Sequence, residues 1–134
     1  MATPPTAHFG FTKLLVTDLE ASAAFYTSVF GLKETARVTS AIADRPIDEI
    51  IFSPTGAGAA TFVLLRYGDV SAPASEEVIL GFITDDLPAL VARAVSAGGS
   101  VVQEPYDNVE HKVKVGFVAD NEGHLIEVVQ PAEA

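Results

Sequence analysis

The chain repeats itself at half its length. Val16-Thr17-Asp18-Leu19 leads into a stretch of helical periodicity that stops at Gly31-Leu32, and Ile83-Thr84-Asp85-Asp86-Leu87 leads into another that stops at Gly98-Gly99. In both copies the aspartate precedes the glycine by 13 positions, and the copies lie 67 positions apart in a chain of 134. One strand and one helix of that size cannot bury their apolar faces alone. The repeat therefore predicts two small β/α modules that share one sheet system, with a possible ligand cleft between them.

Local patterning fills in each module. Phe9 to Val16 reads as a strand, and Thr17-x-x-Glu20 as a capping box for the helix whose apolar positions are Leu19, Ala23, Tyr26 and Phe30. Strands are expected at Lys33 to Thr39, Glu49 to Ser53 and Ala60 to Tyr67. Residues 68–77, rich in Pro, Ala, Ser and acids, read as the linker. In the second module Val78 to Thr84 is a strand. Asp85 or Asp86 caps a helix with Pro88 in its first turn, and Leu87, Leu90, Val91, Ala94 and Val95 form its apolar face. Strands follow at Ser100 to Glu104, Lys112 to Ala119 and Leu125 to Gln130, the last two joined by a turn at Asp120-Asn121-Glu122-Gly123. The expected organisation is one domain over residues 8–130, with modules at about 8–67 and 78–130 and tails at 1–7 and 131–134.

Composition removes several function classes. A hydrophobic content of 49% supplies a real core, and the absence of cysteine excludes disulfides, thiol catalysis and Cys-ligated metal. Eight Lys and Arg against 18 Asp and Glu give a net charge of −10, which argues against nucleic acid or an anionic membrane as a partner. The first seven residues lack a signal-peptide pattern and no apolar run is long enough to span a bilayer, so a cytoplasmic protein is expected. Gly56 to Ala60 is not a phosphate loop, because a strand pattern rather than a helix follows it. No cofactor is expected.

Val16-x-Asp18-Leu19, Phe25-Tyr26, Gly31-Leu32 and Asp120-x-x-Gly123-His124-x-Ile126-Glu127, in this order, resemble the vicinal oxygen chelate superfamily. Its members include glyoxalase I, bleomycin-resistance proteins, fosfomycin-resistance enzymes and extradiol dioxygenases. The resemblance spans about residues 9 to 130. It implies an α+β fold of two tandem βαβββ modules forming a curved, cleft-bearing sheet, commonly completed by a homodimer, with a small organic molecule in the cleft. It also implies four metal-ligand positions, which fall at Phe11, Leu64, about Ile79 and Glu127. Only Glu127 can bind a metal, and a shift of one residue at Leu64 meets only Val63 or Leu65. His8, His111 and His124 are not expected to converge. The expectation is a cleft without a metal.

Candidate residues follow from that cleft. Glu127 is either a proton-transfer group or the structural partner of Lys13, which shares a strand face with Phe11. Lys13 can otherwise support an oxyanion or hold a substrate carboxylate, and His111 and Tyr106 are expected at the cleft mouth. Phe11, Leu64, Ile79, Arg66 and Phe117 are expected to contact the ligand, Arg66 through an anionic group. Two functions compete. One is a metal-independent isomerase, epimerase or lyase acting beside a carbonyl. The other is a binding protein that sequesters a drug or toxic metabolite through its apolar lining. A metal-dependent lactoylglutathione lyase or dioxygenase is a minor third reading.

Overall fold

The computed structural model describes residues 9–56, 59–68 and 78–132. The first module runs β1 (Phe11–Leu15), α1 (Leu19–Phe30), β2 (Glu34–Ile42), β3 (Arg45–Phe52) and β4 (Thr61–Tyr67). The second runs β5 (Leu80–Ile83), α2 (Leu87–Ser96), β6 (Ser100–Asn108), β7 (Val113–Ala119) and β8 (Leu125–Pro131). The sheets have orders β1-β4-β3-β2 and β5-β8-β7-β6, with one parallel pair in each (β1 with β4, β5 with β8). This is the expected α+β fold of tandem βαβββ modules. No helix among the described residues is long and apolar enough to cross a membrane.

Both helices start and stop for identifiable reasons. Asp18 caps α1 by accepting from the Ala21 amide at 3.0 Å, and Asp86 caps α2 by accepting from the Ala89 amide at 3.1 Å. The capping box expected at Thr17 and Glu20 does not form. The Glu20 carboxylate instead pairs with Arg37 at 2.6 Å, an interaction reaching to β2. Gly31 ends α1 with φ of 69°, and Gly98 follows α2 with φ of 100°, where a side chain would be strained.

Leu14, Val16, Ile50, Phe52 and Leu64 of the first sheet form one core with Phe25, Tyr26 and Val29 of α1, Leu87, Leu90 and Ala94 of α2, and Val118, Ile126 and Val128 of the second sheet. Helix α1 lies on β3 and β4, α2 on β6, β7 and β8, and the helices touch each other. The Tyr26 ring packs against Phe62 of the first sheet and Phe82 of the second, at centroid distances of 4.9 and 6.4 Å. The helices therefore form a layer between the two sheets. Strand side chains alternate between faces, so the other face of each sheet points outward and away from its counterpart.

Candidate functional site

On the outward face of the first sheet, Phe11 and Lys13 of β1 stand beside Val63 and Leu65 of β4 and Glu49 of β3. To reach Glu49 the Lys13 side chain crosses β4, and its ammonium lies 2.6 Å from Glu49 Oε2. Glu49 is only 8% exposed while Lys13 is 34% exposed, so the carboxylate forms the floor and the ammonium faces out. No donor among the described residues is aligned for a hydrogen bond to Oε2, so the contact is an ion pair. Phe11 is 58% exposed and its ring centroid lies 5.6 Å from the Lys13 nitrogen, within cation–π range.

The outward face of the second sheet carries Glu127. It sits half-buried in β8 between Gly81 of β5 and Phe117 of β7, its register partners. No hydrogen bond or ion pair reaches its carboxylate among the described residues. Space above Gly81 is open, since a Cβ placed there would meet nothing within 4 Å. Ile79, 55% exposed, and Ile83 alternate with Gly81 at the free edge of the sheet. A carboxylate with an open neighbour and an apolar surround is available to a ligand.

Several expected neighbours are elsewhere. Leu64 is fully buried under α1, because it pairs with Leu14 and Ile50 on the inner face; its neighbours Val63 and Leu65 take the outward parity. Arg66 shares that inner parity and pairs with Asp48 at 3.1 Å, away from Phe11. His111 is exposed in the turn before β7, where Lys112 adopts φ of 55° and breaks the strand alternation. Since Val113 pairs with Pro131 and Phe117 with Glu127, His111 lies on the order of 13 Å or more along the strand from Glu127. Tyr106 keeps the Glu127 side, opposite Val115, but two strands away. Lys13 pairs with Glu49 and not with Glu127. His8 lies outside the described residues.

The turn that carries the resemblance holds the modules together. Asp120 accepts from the Tyr26 hydroxyl at 2.8 Å and from the amides of Glu122 and His124, each at 2.9 Å. His124 places Nδ1 2.8 Å from Asp120 and Nε2 3.1 Å from the Leu15 carbonyl. Both neighbours are acceptors, so the ring is satisfied as a doubly protonated imidazolium. Its pKa is raised by the hydrogen bond to Asp120, which outweighs burial. Burial alone would push the Asp120 carboxyl up, but the hydrogen bonds from His124, Glu122 and Tyr26 hold it below its ordinary value. Burial, reinforced by Asp120, pushes the Tyr26 hydroxyl up and keeps it a donor.

A cavity of about 590 Å³ runs along the free edge of β5, between that strand and the end of α1. Phe30, Phe62, Phe82 and Leu80 line it, with Arg93 at its side donating to the Val29 carbonyl at 3.1 Å. Gly81 and Ile83 of the strand beside Glu127, Ile79 just before that strand and Thr12 of β1 also line it, while the side chains of Lys13 and Glu127 are not in its lining.

The donor set on the outward faces does not fit a metal. Phe11, Val63, Leu65 and Ile79 offer no ligand atom, Glu127 is one carboxylate, and the oxygen of Glu49 faces an ammonium. Among the described residues no group of three His, Asp or Glu side chains is placed to hold an ion.

Residues 7–128 match the family model described as Glyoxalase/Bleomycin resistance protein/Dioxygenase superfamily. A glyoxalase family protein from Bacillus cereus superposes with a TM-score of 0.82 at 16% identity, over 99% of both chains. A glyoxalase-related enzyme from Fulvimarina pelagi gives 0.66 at 25% identity, over 92% of this chain and 87% of that one. Glyoxalase I from Zea mays gives 0.75 at 20% identity, over 94% of this chain and 45% of that longer chain. No curated protein matches the sequence significantly. The chain belongs to the glyoxalase/bleomycin resistance protein/dioxygenase superfamily.

Proposed function

We propose that the protein is a metal-independent isomerase, epimerase or lyase acting on a small carbonyl compound, with Glu127 as the proton-transfer group. The observation that carries this reading is the isolation of Glu127, a half-buried carboxylate without a partner among the described residues, beside the open space over Gly81. Burying a carboxylate part-way without a donor is costly, and a ligand that brings an acidic C–H bond gives it a purpose.

The exposed apolar side chains at the outward faces support a cleft assembled from two copies. The Phe11–Lys13 face of one chain would meet the Glu127 face of another, covering the exposed Phe11, Ile79 and Ile83. The test is solvent exchange at a carbon next to a ketone, followed by NMR in D₂O. Wild-type protein accelerates exchange, chelator treatment leaves the rate unchanged, and Glu127→Gln removes it while the fold persists. Full activity in Glu127→Gln would refute this assignment.

The apolar surround favours a second reading, a binding protein that holds a drug or metabolite without turning it over. Under that reading Phe11→Ala weakens ligand uptake and no exchange occurs.

A further inference from the structure

Two carboxylates are buried among the described residues, and they are used differently. Asp120 is filled by donors from Tyr26, His124 and the turn amides. Among the described residues Glu49 meets only the Lys13 ammonium, on the face of the sheet turned away from α1. Such a pair anchors the ammonium, since Glu49 sits rigidly in β3 between register partners Val38 and Leu65. An anchored ammonium can donate to a ligand without first being reorganised.

The pair also has no net charge. A substrate group that is already anionic gains little there, because Glu49 repels what Lys13 attracts. A neutral carbonyl oxygen is accepted, and the attraction of Lys13 grows only as negative charge develops on that oxygen. That difference between ground state and transition state is what accelerates a reaction.

We propose that Lys13, positioned by Glu49, is the oxyanion-holding group of the cleft. The substrate then presents an uncharged ketone or aldehyde oxygen at this point, flanked by an apolar or aromatic group against Phe11. This rests on Glu127 as the proton-transfer group. In the step itself, the Glu127 carboxylate takes the proton from the α-carbon. The C–H electron pair forms a carbon–carbon π bond, and the carbonyl π pair moves onto oxygen, where Lys13 donates to it. Return of a proton from Glu127 collapses the enolate, so no oxidant or reductant is needed.

The test uses two aromatic probes with an α-CH₂ group, uncharged 2-hydroxyacetophenone and anionic phenylpyruvate, and follows deuterium incorporation in D₂O over the buffer rate. Wild-type protein exchanges the uncharged probe in preference to the anion. Lys13→Met lowers the saturated rate by about 100-fold, the scale of a lost oxyanion donor. Glu49→Gln lowers kcat by about 10-fold with little change in KM, and Glu49→Asp restores part of it, which a merely structural role would not produce.

Thermal unfolding checks each variant. If Glu49→Gln does not fold, the double variant Lys13→Met/Glu49→Met removes both charges and must still lose exchange. Preference for phenylpyruvate, or unchanged kcat in Glu49→Gln or the double variant, overturns the proposal and leaves Glu127 in its role. Absence of exchange of either probe by wild-type protein overturns the proton-transfer reading and this proposal with it.

Discussion

Ala43 and Asp44 show how a single dihedral can hide an element from sequence reading. They adopt φ of 47° and 67° and join β2 to β3 as a two-residue hairpin. Such turns favour Asn-Gly, and Ala-Asp carries no such signal, so the strands were expected to end at Thr39 and to resume only at Glu49. Replacing the pair with Asn-Gly is expected to stabilise the fold by about 0.5–1 kcal/mol, or a few degrees in Tm, measured by thermal unfolding.

Parity hid two site residues in a similar way. Leu64 and Val63 are equally apolar in sequence, and only the register separates the inner face from the outer. Glu49 and Asp48 are adjacent acids, and alternation sends them to opposite faces, toward Lys13 and Arg66.

His124 offers a pH test at the same scale. Its folded-state pKa is raised above the ordinary 6.5, chiefly by Asp120, with Tyr26 and Glu122 also facing this buried network. Its contribution is therefore complete below the unfolded-state pKa and is lost as pH rises through the folded-state value. The urea midpoint of wild-type protein should fall as pH rises above the ordinary histidine value, and its pH dependence should be flatter in His124→Gln. An identical pH profile in the two proteins would remove His124 from the account. Asp120, with its pKa lowered, acts at the other end, losing its contribution as pH falls through the folded-state value.

At the scale of elements, the helices, their stops and the succession of strands along the chain were largely legible, because each module repeats the same strand–cap–helix–glycine pattern. The cap was not. Thr17 and Glu20 have capping-box spacing, yet the amides of Thr17 and Asp18 donate to Glu122 at 2.8 and 2.9 Å, and Ser22 Oγ donates to it at 3.2 Å. A residue from the other module thus satisfies the start of α1, an arrangement that no local pattern encodes. Glu122→Ala should cost about 1–2 kcal/mol in urea unfolding, as the loss of a helix cap does. Glu20→Ala, whose carboxylate pairs with Arg37 on the surface, should cost much less.

For the molecule as a whole, the repeat announced two modules in one sheet system, and the structure has two four-stranded sheets joined by one core. Its placement was not legible, because the pattern of apolar residues does not say which faces meet. Here the inner faces meet through the helices, and Phe11, Lys13 and Glu127 are left on opposite outer faces. On the function proposed here, a site that uses Lys13 and Glu127 together is assembled from two chains.

Mixing Lys13→Met with Glu127→Gln tests that most directly. Each variant alone should lack exchange of 2-hydroxyacetophenone. After joint refolding, random pairing makes half of the dimers mixed, each with one intact site of two, so about a quarter of wild-type activity should return. No recovery from folded, mixed dimers would contradict a cleft shared between two copies.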